Sequence, residues 1–356
     1  MMKKLLFLLG CSALIMSCDK NKIENVTVPT STGNTVQING LIGGESGSSA
    51  GNSVYIDFSK DKQTPFARAD WDLGFYCGNN FRVIINNTTA AMAKVINKND
   101  LNTVTSADVA GVNFELDIAN PTATTFTMLD DIDGDLSKTV IPEVSSVDAD
   151  NKVVVISRGT AGGIAPRDLM KVRIIRNGTD GYTLQYAKIN ETVFNTINIA
   201  KDGDYNFKYL SFEKGPVAGE PKKYDWDITW TISMYKTPLG SEFVAYIFSD
   251  LVAINYLNGT LVVEKDYNTA AEATAAYNSY TKTEAGTETF LNERWKIGGG
   301  WRKTAAPGAT NPGVIKTKFY IVKDSQGNYY KLKFLSFSSE DGGTRGKPEI
   351  RYELLQ

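Results

Sequence analysis

Two pairs of segments recur along this chain in the order A-B-A′-B′, and that order constrains the fold more than anything else in it. Val54-Tyr55-Ile56-Asp57-Phe58-Ser59-Lys60, followed by Trp71-Asp72-Leu73, returns as Lys208-Tyr209-Leu210-Ser211-Phe212-Glu213-Lys214, followed by Trp226-Asp227-Ile228. Lys171-Val172-Arg173-Ile174-Ile175-Arg176, leading through Thr179-Asp180-Gly181 into Tyr182-Thr183-Leu184-Gln185-Tyr186, returns as Lys318-Phe319-Tyr320-Ile321-Val322-Lys323. That copy leads through Gln326-Gly327-Asn328 into Tyr330-Lys331-Leu332-Lys333-Phe334. Self-similarity in a fixed order is the signature of a duplicated unit. Two tandem domains are expected, over 53–205 and 206–356.

Both halves read as β. Runs rich in Val, Ile, Tyr, Phe and Trp that end at Gly, Asn and Asp clusters predict strands over 54–58, 72–76, 81–86, 153–157, 171–176, 182–189, 205–212, 227–235, 242–247, 261–264, 314–323 and 329–337. The B segments read as hairpins around their glycine turns. The alanine-rich stretch 269–277 predicts a short helix; 108–118 fits no single pattern. The expected class is all-β and antiparallel with little helix. Trp71 and Trp226 each end a loop and start a strand, so both are expected to anchor the core. The aspartate after each can accept nearby backbone amides.

The N-terminus carries an export signal. Lys3 and Lys4 precede an apolar run, 5–16, that is shorter than the roughly 20 residues a spanning helix needs. The run ends Leu14-Ile15-Met16-Ser17-Cys18, which is similar to a bacterial lipobox. Residues 1–17 are therefore expected to be cleaved and Cys18 acylated, with a membrane hold of about 0.8 kcal/mol per buried methylene. The protein would sit on the outer membrane or cell surface by lipid alone. Residues 18–52, rich in Asn, Thr, Ser and Gly, read as a flexible tether.

Composition excludes several chemistries. The chain has no histidine, so Ser-His-Asp and Cys-His catalysis and imidazole zinc sites are ruled out. No phosphate-binding GxxxxGK[ST] loop is present. The net charge of −2, with no basic stripe, argues against nucleic acid. Cys77, alone in the folded part once Cys18 is acylated, is expected to be a buried small hydrophobe. The Asp130-Asp131-Ile132-Asp133-Gly134-Asp135 run fails the spacing of a calcium loop and reads as solvated. With no site signature of catalysis, a binding protein rather than an enzyme is expected.

The quoted segments resemble the HmuY-like family of haem-binding surface lipoproteins. That family shows an aromatic strand, a turn and Trp-Asp-Ile, and later an aromatic–Ile–Val–Lys/Arg strand, a glycine turn and a Tyr-rich strand. Here the second half also closes with Gly346-Lys347-Pro348-Glu349-Ile350-Arg351-Tyr352. The resemblance implies a lipid-anchored β protein that captures haem for uptake and hands it to an outer-membrane TonB-dependent transporter. The chain departs from the family's founding pattern in being doubled and in lacking histidine. It therefore cannot offer bis-histidine ligation, while the methionine ligation of other members stays open. Met92, Met128 and Met234 are the candidate axial ligands; Met170, just before a strand, reads as core. A thioether is a soft neutral ligand that favours ferrous iron. Apolar walls would remove the porphyrin from water, and Arg, Lys or Tyr hydroxyls would meet its propionates. The alternative is the same fold with a glycan or partner protein bound by Trp295, Trp301, Tyr320 and Tyr330.

Overall fold

The computed structural model describes residues 31–305 and 311–356. The export signal and Cys18 lie outside them. Strands in the first half are β1 (Gly33–Gln37), β2 (Asn52–Asp57), β3 (Lys62–Ala67), β4 (Leu73–Tyr76), β5 (Val83–Ile85), β6 (Met92–Ile96), β7 (Val153–Ser157), β8 (Met170–Arg176) and β9 (Gly181–Lys188). Strand β10 (Asn195–Ala200) closes the first half, and the second contributes β11 (Phe207–Ser211), β12 (Gly215–Val217), β13 (Ile228–Leu239), β14 (Glu242–Ile254) and β15 (Leu261–Asp266). It continues with β16 (Arg302–Lys303), β17 (Gly313–Val314), β18 (Lys318–Lys323), β19 (Tyr329–Ser336) and β20 (Glu349–Leu354). The class is all-β with little helix, as expected. Helix α1 (Ala270–Ser279) forms where the alanine-rich stretch predicts it. It starts on a reciprocal cap between Thr269 and Glu272.

Two five-stranded sheets run β6-β7-β8-β9-β10 and β15-β18-β19-β20-β1. Two four-stranded sheets run β5-β4-β11-β12 and β14-β13-β2-β3. The orders correspond strand for strand, and in each four-stranded sheet the hairpin of one half lies on the Trp-Asp strand of the other. Tyr55 on β2 faces Thr229 on β13, and Tyr209 on β11 faces Gly74 on β4. The expected boundary at 205/206 thus does not separate the sheets. Val54, Ile56 and Phe58 pack with Ile228, Trp230, Val322 and Ile350. Leu210 and Phe212 pack with Leu73, Phe75, Val154 and Val172. Each core draws apolar strands from both halves of the chain.

Both B segments form the expected hairpins, but they are one strand out of step with each other. Sheet order places β18 (Lys318–Lys323) against β7, not β8, and β19 against β8. The buried lysines agree: Lys171 on β8 donates to the Val104 carbonyl at 2.8 Å, and Lys331 on β19 to that of Tyr277 at 2.9 Å. Alternating apolar strands around a glycine look alike in any hairpin, so the sequence pattern alone does not set this register.

The stretch expected to be a tether is structured throughout its described part. β1 pairs along its whole length with β20. The Glu45 carboxylate accepts the amides of Ile42, Gly43 and Gly51, which hold it at about 2, below the usual range. Its glycines serve close approach rather than flexibility. A Cβ at Gly40 would collide with the Trp230 ring, and one at Gly47 with the Arg345 carbonyl. Cys77 is half-buried rather than buried; desolvation pushes its thiol up.

Candidate functional site

The two Trp-Asp steps meet across the four-stranded sheets. Trp71 packs edge-on against Tyr209 (4.8 Å between centroids) and Trp226 against Tyr55 (4.9 Å). As expected, each tryptophan is buried and each following aspartate accepts an amide: Asp72 from Phe212 and Asp227 from Phe58, both at 2.8 Å. Asn86 and Asn255 repeat a further motif. Each Nδ2 donates to the carbonyl of its own half's tryptophan and to a carbonyl three residues before it.

Between the rings lies a cavity of about 110 Å³. One wall is a ladder of hydroxyls on β13, Thr229, Thr231 and Ser233, with Ser53 on β2 bonded to Thr231 at 2.6 Å. The other face of β13 carries Trp230 and Ile232 into the core, so strict alternation makes the strand amphipathic. A strap over 130–139 covers the cavity. Tyr256 clamps it at the Gly134 carbonyl (2.9 Å) and Trp295 at the Ile132 carbonyl (2.7 Å).

Two buried carboxyls border this cavity. Asp130 accepts the amides of Ile85 (2.8 Å) and Val140 (2.9 Å), yet burial pushes it up to about 7. Glu220 accepts the amide of Phe207 at 2.8 Å, and burial pushes it up to about 8. Asp130 corrects the reading of the acidic run as solvated: its side chain pins the strap to β5. No cluster of three or more His, Cys, Asp or Glu able to hold a metal occurs among the described residues.

The structure gathers Met92, Met128 and Met234 into one apolar cluster with Leu129, Ile132 and Ala245. Met92 on β6 and Met234 on β13 are buried, and Met128, at the foot of the strap, is half-buried. Met170 is core, as expected, in the neighbouring cluster. Beside the methionine cluster is a depression of about 260 Å³ lined by Phe126, Leu129, Ile132, Lys138 and Lys236 together with Asp130, Asp131 and Asp133; none of the three methionines lines it. A wider groove of about 760 Å³ runs between β10 and β12, and no methionine lines it.

The four aromatics expected to be exposed are not. Trp301, Tyr320 and Tyr330 are in the core. Trp295 is half-buried and continues an aromatic row on the β13–β14 arm, through Tyr235 (5.8 Å) to Phe248 and Tyr246. Sequence reasoning missed Asn87, Glu220, Arg294 and the hydroxyl ladder. The alternation Thr229-Trp230-Thr231-Ile232-Ser233 was the available signal for the ladder.

The HmuY protein family model matches residues 49–352, most of the chain and across both halves. The chain belongs to the HmuY family. That family comprises surface-associated binding proteins and is not one of enzymes. No curated protein and no solved structure matches the chain. No helix among the described residues is long and apolar enough to cross a membrane.

Proposed function

We propose that the protein captures haem as cargo, without catalysis, at the junction of the strap and the β13–β14 arm. The observation that carries this reading is the convergence of Met92, Met128 and Met234, from both halves of the chain, in one apolar cluster. Met92 and Met128 come from the first half of the chain and Met234 from the second. The donor set suits an axial thioether, and the cations for propionates would be Lys138 and Lys236, which line the depression and pair with Asp135 and Asp133. The 260 Å³ depression is below the usual size of a ligand pocket, and two of the sulfurs are covered. Haem binding therefore requires the strap to swing from the arm, with Met128 the first sulfur reached.

A haemin titration tests this. A Soret shift is expected, stronger after dithionite reduction, and Met128→Ala should weaken it. No shift in either redox state overturns the reading. The aromatic row of Tyr246, Phe248, Tyr235 and Trp295 favours a second reading, in which the arm meets a glycan or partner protein. That row should then respond to the partner while haemin leaves the spectrum unchanged.

We also infer that the chain arose by tandem duplication, which the matched sheet orders and the paired Trp, Asp and Asn motifs support. Anchoring by acylated Cys18, and hand-over to a TonB-dependent transporter, complete the proposal. Cys18→Ala should release the protein from membranes, and retention of that variant would refute the anchor.

A further inference from the structure

The cavity between the two tryptophan–tyrosine pairs has a chemistry of its own, separate from the methionine cluster. Four buried polar atoms of residues that line it have no partner in the protein: Asn87 Oδ1, Trp226 Nε1, Thr229 Oγ1 and Ser233 Oγ. Each belongs to a residue more than nine-tenths buried. An unpaired buried polar group costs about 1–3 kcal/mol, so four around one small space call for an occupant.

We infer that this cavity binds a small neutral polyol. The open atoms comprise one obligate acceptor, one obligate donor and two hydroxyls that serve as either, which matches a molecule whose own groups are all hydroxyls. The rings of Trp71, Trp226 and Tyr209 supply apolar faces for its carbons. An anion is disfavoured because Asp131 and Asp135 line the space against a single cation, Arg294. An ammonium is disfavoured because it has no acceptor to offer the Trp226 indole N–H. Size sets the limit. A cavity of about 110 Å³ suits a compact polyol of a few carbons and falls far short of a porphyrin.

The test is a titration of the intact protein with glycerol and with erythritol, read by tryptophan fluorescence and calorimetry. Saturable 1:1 binding is expected. Thr229→Val and Ser233→Ala should each weaken it about fivefold, the loss of one hydrogen bond of about 1 kcal/mol. Because neither hydroxyl has a partner in the protein, both variants should keep or raise the melting temperature. A role in folding alone would lower it. Haemin titration should be unaffected by either variant, which separates this proposal from the cargo reading. A linear, non-saturating response, unchanged affinity in both variants, or a crystal grown in glycerol that shows ordered water alone at the site would each overturn it.

Discussion

The Asp227 carboxylate accepts the amide of Phe58 at 2.8 Å, joining residues 169 positions apart. Asp72 makes the same bond to Phe212. The two differ in their other neighbours. Asp72 is also gripped by Arg158, whose Nε lies 2.7 Å from Oδ1 and Nη2 3.0 Å from Oδ2. Asp227 instead faces Asp57 and Asp324, and burial raises it well above the usual carboxylate range. One copy of the motif therefore holds a buried ion pair and the other a buried carboxyl whose proton is harder to lose.

That difference predicts unequal responses to the same substitution. Asp72→Asn leaves the Arg158 guanidinium buried without its principal counter-charge and should cost about 3–5 kcal/mol. Asp227→Asn keeps a carbonyl acceptor for Phe58 and breaks no salt bridge among the described residues, so it should cost less than about 1 kcal/mol. Urea denaturation of the two variants makes the comparison; equal losses would refute it.

Stability should fall as the solution becomes alkaline. In the folded protein, burial raises Asp130 to about 7 and Glu220 to about 8, so both keep protons that the unfolded chain has lost. Their contribution is full below a pH of about 4 and is lost as pH rises through 7 to 8. The melting temperature should decline between pH 5 and pH 9. Glu220→Gln, which retains an acceptor for the Phe207 amide, should flatten the decline.

The two ends of the chain should prove interdependent. A chain beginning at residue 31 keeps β1, β2 and β3 and should melt as the full protein does. One beginning at residue 68 loses Val54, Ile56 and Phe58 from their shared core with Trp230 and strips β20 of its edge partner. Protection of β18, β19 and β20 from hydrogen exchange should collapse in that variant. Persistence of that protection would show that the C-terminal sheet stands alone.

The methionines should separate by burial. Met234→Ala removes a buried side chain from a packed cluster and should cost about 2–5 kcal/mol. Met128 is only half-buried, so its alanine variant should stay within about 1 kcal/mol of the parent and is the cleaner probe of haem binding. Thermal melts of both check the order.

The sequence by itself determined the all-β class, the helix predicted over 269–277, the hairpin turns, the burial of Trp71 and Trp226 and the amide-binding role of the aspartates after them, while strands β1, β3, β6, β10 and β12 lie outside the predicted runs. Each depends on alternation, turn residues or capping within a few positions, where physical chemistry is local. The same locality explains the misreadings. Gly40 and Gly47 read as flexible linker because the Trp230 ring and Arg345 carbonyl they accommodate are remote in sequence. Trp301 and Tyr320 look like a binding surface until strands from elsewhere cover them.

Only the tertiary structure decided that β2 lies on β13 and β11 on β4. Several pairings would satisfy the same apolar alternation, and the choice among them is made by which two faces bury together. From that exchange follow the shared methionine cluster, the strap over the seam and the polar cavity between Trp71 and Trp226. None of these exists within either half alone.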